Sequence, residues 1–226
     1  MEAISKNNPV KSVSTAEELQ KEICEDALMI AQLQTPLQDA PAGDLVSLIQ
    51  GCMRQDRESQ RLLYSQYYGF ALKVVYRYMG DYAAAIRLTN EVMIKIFRSI
   101  SGFKVLGLMA LKSSFGRWLK HAFIQAVVGW SRSQEWNEMT ATALVHTDSD
   151  IWAPATAEDV ENVQLYRILM TRLVSLPLSH RLVFNLHVID GYPAGEVARL
   201  AGMRVKKVDR YLSEARSMLR DTTLGD

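Results

Sequence analysis

Apolar residues recur at three- and four-residue spacing through most of the chain between residues 45 and 220. This period places them on one side of an α-helix, whereas a half-buried strand would alternate at every second residue. No segment shows a convincing strand alternation. In the first half of the chain, the predicted helices begin at Leu45 and then cover residues 59–78, 82–99 and 115–130. We therefore predict an all-α protein.

Turn-forming residues separate these predicted helices. Gly80-Asp81 predicts a turn before the helix at 82–99, and Ser101-Gly102 predicts its end. Residues 103–114 are predicted to form a loop. Asp44 is the predicted N-cap of the first helix, because a short acidic side chain can accept bonds from free N–H groups there.

The helix predicted at 82–99 is apolar around most of its circumference. Its polar side chains form a narrow row, called here the polar stripe: Arg87, Glu91, Lys95 and Arg98. A helix of this kind packs on more than one side. Charges at i,i+4 spacing also pair with each other on an ordinary solvated surface, so the stripe alone does not establish a binding site.

A second helical part follows an acidic segment. Residues 135–159 contain Pro154 and lack helical periodicity over most of their length, which predicts a linker. A helical pattern returns at 160–175 and is interrupted by Leu176-Pro177. Another helix is predicted at 178–189.

Residues 192–220 have the pattern of a helix-turn-helix. Pro193 suits the first position of a helix, where its missing N–H costs nothing. Gly202 can adopt the positive φ that a sharp turn between two helices needs. The second helix then has one apolar face, formed by Val208, Leu212, Ala215 and Leu219.

The opposite face of that second helix is polar and basic near its N-terminus. It carries Lys206, Arg210, Ser213, Glu214 and Ser217, with Lys207 and Asp209 on its flanks. A second helix that is basic near its N-terminus is what docking in the major groove requires. The two acids, Asp209 and Glu214, are predicted to oppose DNA phosphates and to weaken that docking.

Charge is distributed in alternating blocks although the net charge of the chain is only +1. Residues 45–134 hold thirteen Lys/Arg against four Asp/Glu, and residues 177–220 hold eight against four. Acidic segments precede each of these blocks: residues 1–44 hold three Lys/Arg against eight Asp/Glu, and residues 135–176 hold two against seven. The pattern indicates two DNA-facing helical parts joined by a connector that avoids DNA.

The sequence favours a DNA-binding protein over an enzyme. It has no phosphate-binding loop, nucleophile elbow or metal constellation, so we expect no cofactor and no metal. Cys24 and Cys52 lack metal-ligand spacing and indicate a reduced, cytoplasmic chain. No run has the length of a membrane span, and the N-terminus lacks a signal-peptide pattern.

Two separated parts of the chain resemble the extracytoplasmic-function sigma factors of bacterial RNA polymerase. The first part is similar to region two of that family and comprises Leu63 to Tyr68, Gly80-Asp81, Leu88 to Phe97, and Phe115 to Leu119. The second part is similar to region four and comprises Leu176-Pro177, Val183-Phe184, Gly191-Tyr192, Glu196 to Ala198, and Gly202 to Arg216. The joint order and spacing carry the resemblance, because a helix-turn-helix alone occurs in many regulators.

The resemblance implies an architecture of two small helical domains. A region 2-like bundle would occupy residues 45–134 and a region 4-like helix-turn-helix domain residues 160–226. The acidic linker at 135–159 would join them, and residues 1–44 would form an acidic N-terminal extension.

The resemblance also implies partners and site residues. Region two would bind the clamp helices of the polymerase β′ subunit and open the promoter at its −10 element, and region four would bind the −35 element and the β flap. Polymerase contacts would come from Arg87, Asn90, Glu91, Lys95 and Arg98. The loop from Lys104 to Phe115 would capture a flipped base, with DNA contacts from Lys104, Lys112, Ser113, Ser114, Trp118, Lys120 and His121. In the recognition helix, Arg204, Lys206, Lys207 and Arg210 would contact bases and phosphates.

The chain departs from the family pattern at several positions. Tyr82 to Arg87 lacks the usual acidic cluster, and Ile124, Gln125 and Gly129 replace an Arg-Asn pair and an Asp. Asp209, Tyr211 and Glu214 lie where basic residues are common. Three hypotheses therefore stay open: a sigma-like initiation factor, an ordinary helix-turn-helix regulator, and a sigma-like factor without autonomous promoter choice. The last would be positioned by another DNA-targeting protein or would act as a decoy for an anti-sigma partner.

Overall fold

The computed structural model describes residues 42–103, 111–132 and 167–221, with side chains for residues 45–103, 114–132 and 167–220. Its regular elements in this part of the chain are helices, which confirms the all-α prediction. The N-terminal module, defined here as the described residues from 42 to 132, contains α1 (Ala42–Met53), α2 (Arg57–Met79), α3 (Tyr82–Ser99) and α4 (Leu111–Trp130). A short 3₁₀ turn, Ile100–Gly102, follows α3.

The C-terminal module, defined as residues 167–221, contains four more helices. They are α5 (residues 167–175), α6 (Leu178–Phe184), α7 (Ala194–Ala201) and α8 (Val205–Asp221). After Phe184, α6 continues as a wider π-helical segment, Asn185–Ile189, in which the N–H of Asp190 bonds to the carbonyl of Asn185. Such widened turns are rare and often lie next to functional positions.

Local capping explains why α2 and α3 meet at a sharp corner. Asp56 caps α2 by accepting a bond from the N–H of Ser59 at 2.8 Å. At the other end, Gly80 adopts φ 71°, a left-handed conformation that glycine tolerates without a Cβ clash. Asp81 then caps α3 by accepting a bond from the N–H of Ala84 at 2.7 Å. The predicted turn at Gly80-Asp81 and the predicted bounds of the following helix are both confirmed.

The cap of α3 yields a first testable expectation. Replacing Asp81 with alanine removes the acceptor for the N–H of Ala84, so the free energy of unfolding should fall by about 1 kcal/mol. Asp81→Asn keeps an acceptor oxygen at the same position and should lose clearly less. Urea denaturation followed by circular dichroism measures both variants, and equal losses would show that the cap is not the cause.

Several predicted boundaries are wrong, among them those of α2, which covers Arg57–Met79 and not residues 59–78. α1 begins at Ala42, so Asp44 lies inside its first turn, where the helix dipole also favours an acid. α4 begins at Leu111, so the predicted loop ends earlier than residue 114. The polar residues that follow Leu111 were predicted to lie in a loop, but they are equally compatible with the first turn of a helix. Pro193 is the N-cap of α7 and not its first residue. The predictions for residues 1–41, for the linker at 135–159 and for residues 160–166 lie outside the described residues.

One continuous apolar cluster runs through both modules. It includes Leu63, Phe115 and Phe123 from the N-terminal module and Val183 and Val197 from the C-terminal module. The two modules are therefore packed against each other in this structure, with α2 and α6 in direct contact. None of the helices in the described ranges is long and apolar enough to cross a bilayer.

Candidate nucleic-acid interface

The helix-turn-helix is built as the sequence predicted. Gly202 ends α7 with φ 66°, and the N–H of Met203 bonds back to the carbonyl of Ala198 at 2.9 Å. The carbonyl of Arg204 then accepts the first bonds of α8, from the N–H groups of Lys207 and Val208. A left-handed glycine at this point ends α7 without a Cβ clash, and residues 202–204 suffice for the turn to α8.

Packing against the rest of the C-terminal module fixes which side of α8 faces solvent. Val208, Leu212 and Ala215 are buried, which confirms most of the predicted apolar face, and Leu219 is half-buried. All four predicted DNA-contacting residues of this part, Arg204, Lys206, Lys207 and Arg210, are exposed. The basic N-terminal half of α8 is therefore presented to the surroundings while its apolar face holds it in place.

Tyr211 supports two of these cations. Its ring lies 5.3 Å from Lys207 Nζ and 5.4 Å from the guanidinium carbon of Arg210, within the range of cation–π attraction. A basic residue is common at this position in the family, whereas here an aromatic ring lies beside two neighbouring cations. Sequence reasoning did not identify this role.

The acid Glu214 is partly engaged inside the C-terminal module. Its Oε2 lies 2.7 Å from Nε2 of His180 on α6, and its Oε1 lies 3.6 Å from Nε of Arg210. The ring of His180 also packs against Tyr211, with 4.4 Å between ring centroids. Glu214 thus ties α8 to α6, whereas Asp209 is exposed on the outer side of the helix.

The polar stripe of α3 is exposed along its length, at Arg87, Glu91, Lys95 and Arg98. Lys95 Nζ and Glu91 Oε1 are paired at 2.6 Å, so part of the stripe makes the surface ion pair that i,i+4 spacing allows. Asn90 is half-buried and accepts a bond from the hydroxyl of Tyr64 at 2.9 Å. Ile94 lies in the same surface with 53% of its area exposed, a large apolar side chain that the sequence analysis did not single out.

Of the residues predicted around the base-capturing loop, the structure describes the side chains of Ser114, Trp118, Lys120 and His121. Lys104 lies outside the described residues, and Lys112 and Ser113 lie in the first turn of α4, where only the backbone is described. Ser114 is half-buried, and Trp118 packs on Phe115 with ring centroids 5.7 Å apart. His121 is exposed, with Nε2 3.3 Å from the side-chain nitrogen of Gln125.

Lys120, one of the predicted DNA contacts, is paired within the protein in this structure. Its Nζ lies 2.6 Å from Oδ1 of Asp190, which follows the π-helical segment of the C-terminal module. The same carboxylate accepts two bonds from Nη2 of Arg77, at 2.8 Å and 2.7 Å, and a short bond from the hydroxyl of Tyr78. In this arrangement, Lys120 is engaged in a contact between the two modules.

Asp190 and its partner Arg77 are shielded from solvent, since the Arg77 side chain is 0% exposed and that of Asp190 is 1% exposed. Burial alone would raise the pKa of Asp190, but the charges of Arg77 and Lys120 and the bonds from Lys120 and Tyr78 hold the pKa below its ordinary value. Burial and the nearby carboxylate both raise the pKa of Tyr78, so its hydroxyl stays protonated and donates. The carboxylate is therefore ionised and paired at neutral pH.

Two further contacts join the modules. Gly80 lies against Arg181 and Val174; a Cβ at this position would meet Nη1 of Arg181 and would lie 2.8 Å from Cγ1 of Val174. Arg132, just after α4, donates to the carbonyls of Arg199, at 3.4 Å, and of Leu200 near the end of α7. We call these contacts, together with Arg77, Lys120 and Asp190, the inter-module contact.

Sequence reasoning missed the inter-module contact almost entirely. One signal was available at Arg77, because a lone arginine among Val74, Val75, Tyr76 and Tyr78 occupies an otherwise apolar stretch. A charge in such a stretch needs a buried partner. The identity of that partner was not available from the pattern.

Together, these features define a helical protein that presents an exposed, basic helix-turn-helix, the class of fold that binds DNA in the major groove. Residues 166–219 match the family model described as Sigma-70, region 4. The match covers most of the C-terminal module and supports a sigma-like DNA-binding transcription factor. No curated protein matches the chain at a significant level.

Proposed function

We propose that this protein is a sigma-like transcription initiation factor of the extracytoplasmic-function type, which binds core RNA polymerase in the cytoplasm and directs it to promoter DNA. The C-terminal module would dock near the −35 element through α8. The observation that carries the proposal is the coincidence of the region 4 match with four exposed basic residues at or just before the start of α8, which are Arg204, Lys206, Lys207 and Arg210.

The N-terminal module would act as region two. In support, α3 is anchored by buried apolar residues, while its polar stripe and Ile94 remain accessible. A surface that combines several charges with one exposed apolar side chain suits a protein partner better than a nucleic acid. We assign this surface to the β′ clamp, with Arg87, Glu91, Lys95 and Arg98 as contacts and Asn90 at its edge.

A second candidate is a sigma-like factor that is positioned on DNA by another protein. The inter-module contact favours it, because the C-terminal module, which carries α8, is packed against the N-terminal module and the two DNA-binding parts are therefore close together. Transcription in vitro separates the two candidates. Activity of polymerase plus this chain on a short promoter, with no helper, supports the first; activity only with a helper supports the second.

Charge reversal on the polar stripe tests polymerase binding directly. Arg87→Glu combined with Arg98→Glu should reduce the amount of core polymerase that co-purifies with the tagged chain by about tenfold, because like charges across an interface repel. Arg57→Glu combined with Arg61→Glu, on the exposed start of α2, makes the same change of charge elsewhere on the module and is the matched control. Equal recovery of polymerase with both pairs would exclude the stripe as its binding surface.

A further inference from the structure

Three side chains make bonds across the inter-module contact in which a cation of the N-terminal module meets oxygen atoms of the C-terminal module. The N-terminal module supplies Arg77, Lys120 and Arg132. The C-terminal module supplies the carboxylate of Asp190 and main-chain carbonyls at the end of α7. The N-terminal side of the contact is therefore a basic face whose charges are satisfied by the other module.

The oxygen atoms that cover this face resemble a nucleic-acid backbone in their chemistry. Both carboxylate oxygens of Asp190 accept bonds from one guanidinium nitrogen of Arg77, and Lys120 adds a third bond to the same group. A phosphate offers the same charged, multi-oxygen acceptor to arginine and lysine. The three cations come from α2, from α4 and from the residues just after α4, so they are held by the helical scaffold and not by one loop.

The packing of the two modules also limits the length of DNA that the chain can contact at one time. Promoter elements centred near −10 and −35 are about 25 bp apart, which corresponds to about 85 Å of duplex. A compact body of two small packed modules is only about 40 Å across. A chain that engages both elements must therefore separate its modules. The residues between Arg132 and Arg167 are numerous enough to permit this, since an extended chain spans about 3.3 Å per residue.

We propose that the structure is a closed form, in which the C-terminal module covers a phosphate-binding face formed by Arg77, Lys120 and Arg132, and that opening of the inter-module contact releases this face to bind the DNA backbone. Asp190 is the latch, because its carboxylate joins two of the three cations. The expectation that Lys120 contacts DNA then holds for the open form only. The inference rests on the proposed function for the choice of DNA as partner.

Neutralising the latch tests this inference. In Asp190→Asn the carboxylate charge is lost, so the modules should separate more often and the radius of gyration measured by small-angle X-ray scattering should rise. The affinity for a short labelled duplex should increase by about tenfold or more, and the dependence of log K on log salt should steepen by about 2 to 3, as expected for two or three new phosphate contacts. Glu58→Gln, on the exposed start of α2, makes the same change of charge away from the contact and should alter neither quantity beyond a small charge effect.

A second variant opens the contact without any change of charge. Gly80→Ala places a Cβ against Arg181 and Val174 while leaving Asp190 and the three cations intact. It should reproduce the expansion and the steeper salt dependence, and adding Arg132→Ala should then reduce the salt dependence by about 1. Circular dichroism establishes that each variant keeps its helices, so that a gain in binding cannot come from unfolding.

The outcomes are distinct. If both folded variants retain the wild-type radius of gyration, or expand without a steeper salt dependence, the inference is overturned. These measurements use DNA alone, whereas the proposed function is tested with core polymerase. A negative result with DNA alone therefore does not contradict the proposed function, and a negative result with core polymerase does not contradict this inference.

Discussion

Replacing Arg77 with methionine is expected to lower the free energy of unfolding by about 3 kcal/mol at neutral pH. Methionine fills a similar volume, but it leaves the buried carboxylate of Asp190 with Lys120 as its remaining cation. Removing one member of a buried ion pair is costly because the remaining charge stays away from water. Chemical denaturation at pH 7, followed by circular dichroism, measures the loss.

The loss of stability caused by Arg77→Met should become smaller as the pH falls. In the wild-type chain the pKa of Asp190 is lower in the folded state than in an unfolded chain, so its contribution to stability is full above about pH 4 and is lost as the pH falls through the folded value. Without Arg77, the largest effect that opposes burial is lost, so the folded pKa of Asp190 should be higher than it is in the wild-type chain. The variant then becomes relatively more stable at low pH, when Asp190 is protonated. Denaturation at pH 7 and near pH 4 should show the difference between the two chains decreasing.

Two controls separate the buried pair from a general loss of charge. The double variant Arg77→Met, Asp190→Leu removes both charges and should recover much of the loss, since apolar residues often replace a buried pair without penalty. Arg61→Met removes an arginine from an exposed pair with Glu58 and should leave the denaturation midpoint unchanged. Failure of the double variant to recover, together with a pH-independent loss, would mean that Arg77 acts by packing alone.

Helix positions within each module could be predicted because the local signals agree. At Tyr82–Ser99, a glycine that ends the previous helix, an aspartate that caps the next and an apolar period all indicate the same bounds. The same agreement between local signals predicted the turn at Gly202 and the buried face of α8, and the structure confirms both. Where a polar residue suits both a cap and a first turn, as at Asp44, the sequence alone could not choose.

The inter-module contact could not be predicted, for two physical reasons. Arg77 and Asp190 are 113 residues apart, and with 26 basic and 25 acidic residues in the chain many such pairs are possible. The burial of Asp190 also depends on the π-helical segment before it. A turn of π-helix holds about one residue more than a turn of α-helix, and this difference leaves no distinct apolar period in the sequence. The exposure of the basic residues on α8 could be predicted from local structure alone. The pairing of Lys120 could be predicted only by knowing how the two modules pack.

Removing Lys206 and Arg210 together should weaken binding to DNA by about fiftyfold at 0.1 M salt and reduce its salt dependence by about 2. Both side chains are exposed on α8, and its buried face, formed by Val208, Leu212 and Ala215, is untouched by the change. Each lost phosphate contact removes a counterion that binding would otherwise release, so the effect is largest at low salt. Fluorescence anisotropy with a labelled duplex at several salt concentrations measures both quantities.

The matched control is Arg57→Ala combined with Arg61→Ala, which removes the same two charges from the exposed start of α2. It should change the affinity only slightly, because those side chains belong to neither the recognition helix nor the inter-module contact. If both pairs weaken binding equally, DNA senses only the net charge of the chain, and α8 has no special role. If only the α8 pair weakens it, the exposed basic start of this helix is the DNA-docking surface, as the region 4 match implies for the C-terminal module.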